Sequence, residues 1–186
     1  MDEFRREYNI PDDVHLTLAK QDITPWGNQG FVPFTHLSIV ETELRFPVQP
    51  LLCEFLRQTR IFPTQLSTNS YRIINGIAEL NHRASLNLSL VELFHQYSLG
   101  SNEDGWVYYL RIRRRREKII KNTPDKDVND DDFFCVSGNY EDHQAQIPGN
   151  KINWNKGEAG KITSAQFHAF LYFGFLMLNR TDCRLL

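Results

Sequence analysis

A change of hydrophobic period near residues 100–105 constrains this chain more than any other feature. Upstream of it, apolar residues recur at the three- and four-residue spacing of a helix face. Downstream, aromatic and β-branched residues crowd into short runs of strand character. Helices followed by strands, without regular alternation, predict an α+β fold. The expected architecture is a helical lobe of three to four helices, a small two- or three-stranded antiparallel sheet, and a C-terminal apolar helix.

The helical part is expected to span 33–99. Pro33 suits a first helical turn, and Phe34, Leu37, Ile39 or Val40, and Leu44 follow near helical spacing. Pro47 and Pro50 stop that pattern and restart it. Leu51, Leu52, Phe55 and Leu56 then form one face, and Phe62-Pro63 is the expected stop. Asn69 or Ser70 can cap the next helix, which carries Tyr71, Ile74, Ile77 or Ala78, and Leu80. Gly76 inside it costs about 1 kcal/mol relative to alanine. Ser89-Leu-Val-Glu92 has the spacing of a capping box, with Leu90, Leu93, Phe94 and Tyr97 as the buried face and Gly100 as the stop.

Strands are predicted at 106–112 and 133–136, within a strand-containing part 105–138. The stretch 141–160, rich in Asn, Gln, Lys and Gly, reads as a surface loop, and a capped apolar helix is predicted at 163–179. Residues 1–30 read as a partly flexible arm in which Val14, Leu16 and Leu18 could make a short edge strand. The length suits one domain or two small ones, and residues 31–186 read as one domain because the helical and strand-containing parts are both small.

The formal charge is only -2, but it conceals a strong asymmetry. Residues 111–121 hold Arg111, Arg113, Arg114, Arg115, Arg116, Lys118 and Lys121 against Glu117, a local charge of +6. Residues 122–132 then carry five aspartates and one lysine, a local charge of -4. Three readings fit the basic run: contact with the phosphates of DNA or RNA, a nuclear-import signal, or a solvated loop tying off a hairpin between the two strands. Trp106, Tyr108 and Tyr109 could stack bases, although strand aromatics more often pack a core.

Enzyme signatures are missing. Cys53, Cys135 and Cys183 form neither a disulfide framework nor a zinc motif, and each reads as a small core residue. Asp130, Asp131 and Asp132 are consecutive, whereas a two-metal centre needs carboxylates converging from separate elements. His95 and His168 read as helix-packing or surface residues. No catalytic residue, metal ligand or cofactor is therefore assigned. The start of the chain lacks the apolar stretch of a secretory signal, and the run at 167–178 rises only about 18 Å as a helix, too short to span a bilayer. These features lead to an expected intracellular location, nuclear or cytoplasmic.

Several short motifs occur in a telling order: Leu44-Arg-Phe-Pro-Val-Gln-Pro-Leu51, Phe55-Leu-Arg57, Phe62-Pro-Thr-Gln-Leu66, Asn69-Ser-Tyr-Arg72, Phe94-His-Gln-Tyr97, Gly105-Trp-Val-Tyr108 and Phe133-Phe-Cys-Val136. In this order the chain resembles the gypsy-type transposon domain of plant transposon and retrotransposon proteins, over roughly residues 32–136. Two positions differ from that pattern: Tyr71, where Trp is expected, and 129–132, where Lys and Trp usually precede the Phe-Phe strand. The resemblance implies a mobile-element origin and supplies no catalytic residue. The function expected from it is a non-catalytic structural or protein-interaction domain. Its face would be Phe167, Phe170, Leu171, Phe175 and Leu178, docking on a protein partner or on a missing C-terminal region. The alternative is a nucleic-acid accessory domain that uses 111–121.

Overall fold

The computed structural model of the protein describes residues 1–19, 30–42, 44–121, 123 and 132–141. The predicted loop beyond residue 141 and the predicted helix 163–179, with Cys183 and His168, lie outside the described residues. Within them the fold is mixed α+β. Its elements are α1 (Asp2–Glu7), β1 (Val14–Leu18), β2 (Val32–Thr35), α2 (His36–Val40), α3 (Pro50–Thr59), α4 (Thr68–Ala84), α5 (Leu90–Gln96), β3 (Tyr97–Ser101), β4 (Tyr108–Ile112) and β5 (Phe133–Gly138).

Two antiparallel sheets form. One has the order β1-β5-β2, with Leu16 opposite Val136 and Phe34 opposite Phe134. The other pairs β3 with β4, with Leu99 opposite Leu110. The expected hairpin between 106–112 and 133–136 is therefore corrected, because those strands belong to different sheets. β4 finds its partner in residues that the sequence pattern assigned to a helix. Tyr97 and Leu99 are buried while Ser98 and Gly100 are only half-buried, so the chain changes from helical to two-residue period directly after Gln96.

The predicted helix start at Pro33 is likewise corrected. Val32, Pro33 and Phe34 are strand residues, and proline is tolerated because β2 is an edge strand. The helix begins only at His36, where the Thr35 side chain accepts from Ser38 N–H at 3.2 Å. Pro50 does open α3, but the stop comes before Phe62-Pro63: Arg60 takes a left-handed conformation with φ 55°. Ser67, ahead of the expected Asn69 or Ser70, caps α4. The capping box at Ser89 and Glu92 forms as its spacing indicates, with Ser89 N–H donating to Glu92 Oε2 at 2.7 Å.

The short edge strand expected within residues 1–30 forms at Val14–Leu18, on the edge of the β1-β5-β2 sheet. Val14 and Leu16 are buried in the sheet, and Arg5 donates from Nη1 to Val14 O at 2.7 Å and from Nη2 to Pro11 O at 2.5 Å. Phe4 lies 5.0 Å, centroid to centroid, from Phe134. The short helix α1 thus rests its partly buried Phe4 ring on the core, and its end is tied down by two side-chain hydrogen bonds from Arg5.

A continuous apolar core joins the two sheets through the helices. β2 packs on the short 3-10 turn Pro63–Gln65 between α3 and α4, β4 packs on α4, and β3 on α5. Tyr71 is fully buried and its hydroxyl donates to Pro63 O at 2.9 Å; burial holds that phenol well above its ordinary pKa. Cys53 and Cys135 are both buried. No helix among the described residues is long and apolar enough to cross a membrane.

Candidate nucleic-acid interface

The basic run leaves β4 at Ile112 and returns immediately to the junction of α5 and β3. Arg113 N–H donates to Gln96 O at 2.9 Å, and Arg113 Nε donates to Phe94 O at 2.9 Å and Tyr97 O at 3.2 Å. One guanidinium of the run is thus spent on two backbone carbonyls where α5 passes into β3. Next to it the chain reverses: Arg116 N–H donates to Arg113 O at 3.1 Å, closing a four-residue turn.

Arg115 stands third in this turn with φ 65°, a conformation uncommon for a residue with a Cβ. The other non-glycine residues with positive φ among the described residues, Asn9, Arg60 and Ser85, all follow helices. Past the turn the run is fastened again. Gln96 Nε2 donates to Glu117 O at 3.0 Å, Ile119 N–H donates to the Tyr97 hydroxyl at 3.1 Å, and Ile119 and Ile120 pack against the core.

The result separates the seven basic residues by role. Arg113 is half-buried and structural. Arg114, Arg115, Arg116, Lys118 and Lys121 are exposed, the first three on the turn itself. Arg111 is exposed on the outer face of the β3-β4 sheet, its guanidinium carbon 4.5 Å from the centroid of the Tyr109 ring. Tyr109 in turn lies over Gly100, where an added Cβ would stand 2.7 Å from its Cε2, and its hydroxyl donates to Ser101 O at 2.7 Å.

The aromatic candidates divide in the same way. Tyr108 is buried and Tyr109 covers a glycine of the neighbouring strand, so both belong to packing. Trp106 is 41% exposed, but it sits at the opposite end of β4 from the arginine turn. Of the aspartates, Asp132 is exposed and its carbonyl accepts from His36 N–H at 3.0 Å, while Asp130 and Asp131 lie outside the described residues. His95 is exposed on α5. Among the described residues no group of three His, Cys, Asp or Glu side chains could hold a metal ion.

The proposed interaction face Phe167, Phe170, Leu171, Phe175 and Leu178 lies outside the described residues. What sequence reading missed was the pair Ile119-Ile120. Two adjacent branched apolar residues inside a charged run signal that the run is pinned to a core. No family model, curated protein or solved structure matches the chain.

Proposed function

We propose that the chain is a non-catalytic binding domain that presents the turn at Arg113–Arg116 to the phosphates of a nucleic acid. The observation that carries this reading is the division of labour within the run: Arg113 is spent on backbone carbonyls, while Arg114, Arg115, Arg116, Lys118 and Lys121 are held out into solvent. The left-handed backbone of Arg115, φ 65°, closes the turn that sets these side chains outward. The turn also speaks against the import-signal reading, since a receptor that reads an extended basic peptide would first have to open it. A role beside nucleic acid is in keeping with the mobile-element resemblance.

The mechanism is counterion release. Each phosphate neutralised by a guanidinium frees a condensed cation, and arginine adds a fork of donors that fits phosphate oxygens. The five aspartates at 125–132 oppose this field, so affinity is expected in the micromolar range, as for non-specific binding.

The test is fluorescence anisotropy with labelled duplex DNA, single-stranded DNA and RNA between about 50 and 200 mM salt. The expected result is binding that weakens steeply with salt, and a log-log slope reduced by roughly 2 to 3 when Arg114, Arg115 and Arg116 are replaced by alanine. Absence of binding at the lowest salt, or a slope indifferent to those substitutions, would remove the reading.

A further inference from the structure

We infer that Ile120, seated on Gly76 of α4, is a positioning residue that holds the arginine turn ready for its ligand. This inference rests on the reading of the turn as a phosphate-binding element. A Cβ added at Gly76 would stand 2.7 Å from Ile120 Cδ1 and 2.9 Å from Cγ1. The glycine in the middle of a 17-residue helix is thus the floor of a socket, and Ile120 fills it. Helix propensity alone disfavours glycine there, so contact with the loop supplies the missing reason for it.

The fastening has two ends. Arg113 grips Phe94 O and Tyr97 O before the turn, and Ile119 N–H with the Ile120 side chain grips Tyr97 and Gly76 after it. Between those grips lie residues 114–118, with Arg114, Arg115, Arg116 and Lys118 exposed. Holding them in place before binding removes the cost of ordering several long side chains and their backbone on contact. Free from its second grip, the same charge would still attract phosphates, but it would pay that ordering cost each time.

The two consequences of Gly76→Ala therefore have opposite signs. Alanine improves the helix, while its methyl group pushes aside the movable end of Ile120. The expected outcome is a Tm unchanged or raised, together with nucleic-acid binding about fivefold weaker at fixed salt. The salt slope stays as in the parent, because every cation remains. Ile120→Ala should weaken binding to a similar extent, and Ile120→Val, which keeps both branches at Cβ, should largely restore it.

The full chain is used throughout, with the same labelled duplex and single strands as probes. If Gly76→Ala lowers Tm, the comparison of Ile120→Ala with Ile120→Val carries the test alone. Parent-like binding by Ile120→Ala, while alanine at Arg114, Arg115 and Arg116 still reduces the slope, would overturn the positioning role and leave the phosphate-binding reading intact. Failure of the parent chain to bind would instead strike the reading beneath it.

Discussion

Ser70 Oγ accepts a hydrogen bond from Leu110 N–H at 2.8 Å, linking the first turn of α4 to the middle of β4 across forty residues of chain. The same oxygen lies 2.9 Å from Ser67 Oγ, and Ser67 N–H donates to Tyr108 O at 2.8 Å. On the side of β4 that faces away from β3, Leu110 N–H and Tyr108 O are thereby satisfied by the start of α4, next to a single parallel bridge from Leu66 to Tyr108. Buried backbone groups require such partners, and an unpaired strand edge would otherwise invite pairing with another chain.

Ser70→Ala leaves Leu110 N–H buried without its acceptor. The expected loss is about 1–3 kcal/mol, read as a lower urea midpoint with an unchanged m-value. A variant as stable as the parent would show that a water molecule can take the place of the serine oxygen.

Arginines of one sequence run should respond differently to removal. Arg113→Ala breaks a charged group's bonds to Phe94 O and Tyr97 O and should cost about 1.5–3 kcal/mol. Arg115→Gly relieves a left-handed residue while adding unfolded-state entropy, and the two effects leave stability within about 0.5 kcal/mol. Chemical denaturation of both variants side by side checks the contrast, and equal losses would count against it.

Alkaline stability should report on Tyr140. Burial, reinforced by the neighbouring Glu141 carboxylate, pushes its phenol from 10.0 to about 12. A folded-state pKa raised above the unfolded one contributes stability that is complete below pH 10 and is lost as pH rises towards 12. Tyr140→Phe should flatten the fall in unfolding free energy over that window, measured by urea titration at a series of pH values. A parent-like slope in the variant would assign the alkaline loss to other groups.

The capping box carries the acid side. Burial pulls the Glu92 carboxyl upward, but hydrogen bonds from Ser89 Oγ at 2.6 Å and Ser89 N at 2.7 Å outweigh it and leave the pKa lowered. A depressed carboxyl stabilises the fold above its unfolded value of 4.5, and that contribution disappears as pH falls through the folded value. Ser89→Ala should therefore cost about 1 kcal/mol near neutral pH and less in acid. Thermal unfolding from pH 3 to 7 distinguishes this from a loss that is constant with pH.

What could be read in the sequence was local. The mixed α+β class follows from the change of hydrophobic period, and the cap at Ser89 from a four-residue spacing, because both depend only on neighbours along the chain. Pro50 marks the start of α3 for the same reason. The basic run was visible as charge, which is a property of composition.

Pairing and role were decided by tertiary structure. Val32–Thr35 reads equally well as the start of a helix until β5 provides a strand for it to pair with, and Tyr97–Ser101 becomes a strand because β4 lies beside it. Nor does any local signal distinguish Arg113 from Arg114. They are adjacent and chemically identical, and only the carbonyls of Phe94 and Tyr97 make one a fastening and leave the other exposed. Charge is fixed by covalent structure, whereas what a charge does depends on which distant groups the fold brings within about 3 Å of it.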